Sequence, residues 1–198
     1  MELMGVDRPF GIENRQVQNI LERYELEDQP KGQPIPMVSL PDIVSDKVIS
    51  YLRRTAEHKA NPELAYRYDP RLVRHLYEVH RIADANPSVI GEAAPIFVET
   101  LAQETQQYGG ERFPVFKDRP VSVLRDELDL LTTDAEADKN YAVFVDDLVY
   151  GSKPSFDEVS QTFRMVATSF LEAAVTPSLP EQPQQMIGGL GHGFGRRL

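Results

Sequence analysis

The sequence predicts an all-α protein: a compact multi-helix bundle of about five or six helices over residues 42–175. Apolar residues recur three and four positions apart through most of this segment, which is the spacing of one helix face. Proline, glycine and asparagine separate these stretches, and such residues end helices. We expect an N-terminal helical arm over residues 1–41 and an extended Pro/Gly-rich C-terminal tail over residues 176–198.

The best-defined helix is predicted over residues 154–174. Ser155 and Glu158 have the spacing of a capping box, in which each side chain satisfies a free backbone amide at the helix start. The apolar face that follows comprises Val159, Phe163, Val166, Ala167, Phe170 and Ala174. Its two phenylalanines point the same way, so we expect both to be buried.

The arm is predicted to contain a short helix and a linker. Asn14 is a suitable cap, and the apolar stripe behind it would comprise Val17, Ile20, Leu21 and Tyr24. Five residues then exclude helix and favour an extended connector: Pro30, Gly32, Pro34, Pro36 and Pro41.

Two further helices follow the connector. The second helix of the chain is expected over residues 42–59, and Asp69 with Pro70 gives a strong start signal for the third. The polar face of the third helix has residues three and four apart: Arg71, Arg74, His75, Glu78 and Arg81.

Residues 89–108 look helical, with Pro95 producing either a kink or two short helices. Residues 113–116 favour a short edge strand or a packed loop. Thr133 with Glu136 has the spacing of a second capping box. Residues 141–145 alone would suit a buried strand, but the cap and the helical spacing favour a helix.

No set of residues indicates a particular chemistry, so we expect no catalytic residue, no cofactor and no metal site. His75 and His80 are five residues apart and do not converge on one helix face. The acidic run that begins at Asp134 lacks the glycine and the final glutamate of a calcium loop. The chain has no cysteine, which excludes disulfides and thiolate ligands.

Charge and hydropathy narrow the possible partners. The net charge of −10 makes direct nucleic-acid binding unfavourable. No stretch approaches the roughly 20 apolar residues of a membrane helix, and the N-terminus lacks a secretory signal. We therefore expect a cytoplasmic protein without a membrane partner.

The charges are unevenly distributed along the chain. Residues 42–86 carry eight basic and seven acidic residues, whereas residues 118–164 carry five basic and eleven acidic ones. This pattern fits surface ion pairs within one monomer, or association between copies of the chain. The candidate protein-interface residues are Arg71, Arg74, His75, Arg81, Asp146, Asp147, Leu190, Phe194, Arg196 and Arg197.

These observations favour a non-catalytic structural or connector subunit of a large homo-oligomeric assembly, for example a head–tail adaptor of a tailed phage. Its partners would be other copies of itself and neighbouring assembly proteins, first in the host cytoplasm and then in the virion. Two alternatives stay open. One is a cytosolic adaptor or regulator that binds a protein partner, and the other is an unrecognised helical enzyme.

Overall fold

The computed structural model describes residues 10–17, 33–63, 68–111 and 113–176. Within these residues the chain forms seven α-helices and one two-stranded antiparallel sheet. The all-α fold class is confirmed, because the small sheet is confined to the N-terminal segment and the helices form the body of the molecule.

The elements follow one another in the order two strands, then seven helices. The strands are β1 (Ile12–Val17) and β2 (Gln33–Val38). The helices are α1 (Leu40–Ala60), α2 (Arg74–Ala85), α3 (Val89–Tyr108), α4 (Pro114–Asp118), α5 (Pro120–Leu131), α6 (Ala135–Leu148) and α7 (Phe156–Val175). A 3-10 turn, Pro70–Val73, leads into α2, and Asp69 caps it as the sequence predicts.

The core lies where α1, α2, α3 and α5 pack against one another and against α7. Phe163 and Phe170 of α7 are both fully buried, as predicted from their spacing. The ring of Phe163 meets that of Tyr51 edge-on at 5.2 Å, and Phe170 lies 5.2 Å from Phe97. Helix α7 therefore contributes two large aromatic side chains to the centre of the bundle.

The predicted capping box of α7 is present. Ser155 Oγ accepts the Glu158 amide at 3.3 Å, and the Glu158 carboxylate accepts the Ser155 amide at 2.7 Å. The second predicted box is wrong: the N-cap of α6 is Asp134, whose Oδ1 accepts the amides of Glu136 and Ala137. An aspartate caps as well as a threonine does, and it stands one residue closer to the helix.

The predicted N-terminal helix is wrong at its start, because residues 12–17 form a strand. β1 pairs antiparallel with β2, so the proline-rich connector is extended as expected but is also part of a sheet. Pro36 lies opposite Asn14 and Pro34 opposite Gln16. Ser39 N donates to the Gly11 carbonyl at 2.7 Å, so these two residues form a hydrogen-bonded pair. Bonded and non-bonded pairs alternate along an antiparallel ladder, which places both prolines at non-bonded positions. The strand therefore tolerates residues that lack an N–H. Residues 18–24, the rest of the predicted helix, lie outside the described residues.

Three other segments, for each of which the sequence also suggested another structure, are helical. Residues 113–116, expected as an edge strand or loop, instead enter α4, where Pro114 occupies the first turn and the buried rings of Phe113 and Phe116 stack at 5.4 Å. Pro95 lies inside α3, which is one continuous helix. Residues 141–145 are helical, as the helical spacing predicts, although the cap is Asp134 and not the predicted Thr133.

Candidate functional site

The hairpin formed by β1 and β2 is attached to the first turn of α1. The Gly11 amide donates to Asp42 Oδ2 at 3.1 Å, and Ser39 Oγ donates to the same carboxylate oxygen. Ser39 is also the N-cap of α1, since its Oγ accepts the Asp42 amide at 3.3 Å. These bonds fix the hairpin beside the start of a helix that is largely buried in the core.

Gly11→Ala is expected to loosen this attachment. An added Cβ would lie 2.8 Å from Asp42 Oδ2 and 3.1 Å from Ser39 Oγ, so the carboxylate that accepts the Gly11 amide would have to shift. Weakening one of these hydrogen bonds costs about 0.5–1.5 kcal/mol. Hydrogen exchange of the Ser39 amide should therefore become faster. Gly110→Ala is the control, because nothing lies within 4 Å of its added Cβ. Unchanged Ser39 exchange in Gly11→Ala would contradict the proposed attachment.

A groove of about 620 Å³ opens between the hairpin, α1 and α2. Its lining residues are Phe10, Met37 and Val38 from the hairpin segment, Asp42, Ile43, Asp46 and Lys47 from α1, and Glu78 and Ile82 from α2. Apolar side chains form much of the wall, with four charged groups among them. This combination is typical of a binding groove for a small polar ligand.

One ion pair spans the groove from α1 to α2. Lys47 Nζ lies 3.0 Å from Glu78 Oε2, and the same oxygen lies 3.1 Å from Nδ1 of His75. The His75 side chain is only 5% exposed, whereas those of Lys47 and Glu78 are 22% and 36% exposed. The lysine and the glutamate therefore remain accessible from the groove, and the histidine supports them from inside the protein.

The surroundings of His75 and Glu78 determine whether these two side chains are charged. Burial lowers the pKa of His75; the Glu78 carboxylate opposes this shift, and the positive charges of Lys47 and Arg74 add to it. Burial alone would raise the pKa of Glu78, but hydrogen bonds from His75 and Lys47 and the charge of Lys47 lower it overall. The two shifts keep the His75 ring neutral and the Glu78 carboxylate ionised at neutral pH.

The predicted interface residues of the third helix do not form one exposed stripe. Arg71 and Arg81 are exposed, Arg74 is half-buried and pairs with Asp69 at 3.4 Å, and His75 is buried. His75 faces inward because it shares a helix face with apolar residues of α2 that pack into the core. The interface role of these residues stays a prediction.

The acidic candidates and the tail candidates have different outcomes. Asp146 and Asp147 are exposed on α6, and Asp146 Oδ1 lies 3.3 Å from Lys153 Nζ. Four candidates lie outside the described residues: Leu190, Phe194, Arg196 and Arg197.

Nothing in the sequence singles out Lys47. Glu78 and His75 appeared there only as members of a polar helix face. Lys47 and Glu78 are separated by 31 positions and belong to different helices, so only the packing of α1 against α2 brings them together. A lysine near the start of a helix with acidic neighbours was the one available signal.

The fold and the groove define a helical protein that presents a charged groove beside an N-terminal hairpin. A comparison with family models places it further: the model described as nucleotidyl transferase AbiEii toxin, Type IV toxin–antitoxin (TA) system, matches residues 1–162. The match covers most of the chain, so the protein belongs to the AbiEii family. Every residue that lines the groove lies within the matched range. Comparison with curated proteins found no match, and comparison with solved structures found none either.

Membership of this family corrects several expectations. The predicted role as a structural or connector subunit, the predicted place in a virion and the expected lack of catalysis are wrong, because the family is one of nucleotidyl transferase toxins. The expectation of a partner protein is confirmed only in general form, since a toxin–antitoxin system pairs the toxin with an antitoxin. No helix in the described part of the chain has the length and hydropathy needed to cross a bilayer.

Proposed function

We propose that this chain acts as a nucleotidyl transferase toxin and that the groove between the hairpin, α1 and α2 receives the triphosphate of its nucleotide substrate. The family match carries the proposed activity. The groove is proposed as the site because it combines an accessible lysine with a partly apolar wall. In such a reaction an acceptor oxygen bonds to the α-phosphorus of a nucleoside triphosphate. The bond from that phosphorus to the bridging oxygen breaks, and pyrophosphate leaves with the electron pair.

Lys47 is the groove residue suited to contact the phosphates. Its ammonium group is a compact positive charge with three donors, and one of these is directed at Glu78. Glu78 keeps the flexible lysine side chain in one place, which reduces the entropy lost when a phosphate binds. The ionised Glu78 carboxylate can also accept a proton from an acceptor hydroxyl that lies within hydrogen-bonding distance.

Nucleotidyl transfer commonly uses a divalent cation that is bound partly by the substrate phosphates. Among the described residues, no three or more His, Cys, Asp or Glu side chains come together to hold a metal ion. Asp42 Oδ2 and Glu78 Oε2 each already have two polar partners. Among the described residues the groove therefore offers no three-ligand protein site for a cation, and no step is assigned through one.

We further propose that the toxin acts in the cytoplasm, where nucleoside triphosphates are available, and that its antitoxin opposes this activity there. Both points rest on the family description rather than on a contact in the structure. Induced expression of the chain without an antitoxin is expected to arrest growth. Growth at the rate of an empty-vector culture would contradict the toxin assignment.

Lys47→Ala is expected to weaken nucleotide binding by about tenfold or more, because a phosphate loses a charge-assisted hydrogen bond. Calorimetry with each of the four ribonucleoside triphosphates measures the affinity. Transfer of label from α-³²P triphosphates to components of a cell extract measures the reaction. Lys139→Ala is the matched control, since Lys139 is exposed on α6 and does not line the groove. A wild-type chain that neither binds nor transfers any of the four would contradict the proposal.

A further inference from the structure

Helix α2 places a buried histidine directly behind the ion pair of the groove. Nδ1 of His75 lies 3.1 Å from Glu78 Oε2, and Lys47 Nζ lies 3.0 Å from the same oxygen. We propose that His75 is a positioning residue: its Nδ1–H fixes the Glu78 carboxylate, and that carboxylate holds Lys47 in the groove. This inference rests on the proposed role of Lys47 in binding the triphosphate.

The direction of the hydrogen bond follows from the chemistry of its two partners. An ionised carboxylate can only accept, so the imidazole must donate from Nδ1. A neutral histidine carries its single ring proton on one nitrogen, and the bond to Glu78 therefore selects the Nδ1–H tautomer. The groups that act on His75 are Glu78 and Arg74 from its own helix and Lys47 from α1. Glu78 is the only carboxylate among them.

The burial of His75 explains why it can orient the pair. A buried ring has little freedom to rotate, since the surrounding core packs against it. Glu78 and Lys47 have long side chains that reach the groove, and each would sample several rotamers without a fixed partner. Because one rigid donor and one flexible donor share a single carboxylate oxygen, the rigid one determines where the flexible one lies.

If the His75 ring only filled space in the core, its volume would matter and its Nδ1–H donor would not. Three variants separate these roles. His75→Leu keeps an apolar side chain of similar bulk but removes the hydrogen bond. His75→Asn places an amide N–H near the position of Nδ1, and His75→Gln places one near the position of Nε2. We expect the asparagine variant to retain the orientation of Glu78, and the leucine and glutamine variants to lose it.

The first measurement needs no nucleotide. Side-chain carboxyl titration of Glu78 by NMR should give a raised pKa in His75→Leu and His75→Gln relative to the wild type, and a pKa close to the wild-type value in His75→Asn. The second measurement is the affinity for the triphosphate that binds the wild type best. We expect a loss of about tenfold in the leucine and glutamine variants, and near-complete retention in the asparagine variant.

Thermal melting establishes which variants fold, and the asparagine–glutamine pair suffices if the leucine variant does not. An unchanged Glu78 titration in a folded His75→Leu or His75→Gln protein would overturn the inference. Equal losses in the asparagine and glutamine variants would also overturn it, because the position of the donor would then be irrelevant. If Lys47→Ala retains full nucleotide affinity, the proposed function fails, whereas the Glu78 titration still reports on His75.

Discussion

Phe163→Ala is expected to lower the free energy of unfolding by about 3–5 kcal/mol, because it removes a large buried ring and leaves a cavity that the bundle can only partly fill. Phe163 is fully buried in α7, and its ring makes an edge-on contact with Tyr51 of α1. The substitution also removes this aromatic contact, which contributes roughly 0.5–1.5 kcal/mol beyond area burial.

Urea denaturation followed by circular dichroism measures this change. Met165→Ala is the matched control: it truncates a large side chain two positions along the same helix, but Met165 is 60% exposed. Its free energy of unfolding should stay within about 0.5 kcal/mol of the wild type. Similar losses for the two variants would show that α7 does not bury the face that contains Phe163.

The helices of the bundle could be predicted because their information is local. The cap at Ser155 and the apolar face behind it specify α7 within 20 consecutive residues, and the structure has this helix with the same buried face. Residues 141–145 are helical as their spacing predicts, although the predicted Thr133 cap is replaced by Asp134.

The N-terminal hairpin could not be predicted in the same way, because its pairing is not local. β1 and β2 are separated by residues 18–32, and β2 contains two prolines that normally argue against a strand. Only the register shows that both prolines lie at non-bonded positions. Without the partner strand, Asn14 followed by an apolar periodicity resembles the start of a helix.

The candidate site was missed for a related reason. Lys47 and His75 are unremarkable in sequence, and they become meaningful only when α1 and α2 pack and Glu78 joins them. The overall charge of −10 was used to argue against polyanion partners, but a net charge says nothing about one ammonium group in a groove. The expectation of no direct nucleic-acid binding stays a prediction, because the family description names no nucleic-acid partner.

Arg53→Met is expected to lower the free energy of unfolding by about 3 kcal/mol, since removing one partner of a buried ion pair leaves the other uncompensated. Arg53 of α1 is buried, and its Nε donates to Glu104 Oε2 of α3. Its Nη1 lies 3.1 Å from Glu57 Oε2, and its guanidinium carbon lies 3.7 Å from the centre of the Tyr108 ring. Arg164→Met is the control, because Arg164 and its partner Asp129 are 43% and 60% exposed and such a pair contributes roughly 0–1 kcal/mol.

The loss in Arg53→Met should depend on pH in a defined direction. Burial raises the pKa of Glu104 even though the charge and hydrogen bond of Arg53 lower it, so removing the arginine raises this pKa further. A carboxyl group with a raised pKa in the folded state destabilises that state as the pH rises through the raised value. The loss of stability should therefore be largest at neutral pH and should shrink as the pH falls towards 4.5, the ordinary pKa of glutamate.

The double variant Arg53→Met with Glu104→Gln should recover much of the loss at neutral pH, because a neutral amide needs no cation. A deficit that is independent of pH and is not relieved by Glu104→Gln would show that Arg53 stabilises the protein through packing and not through its charge.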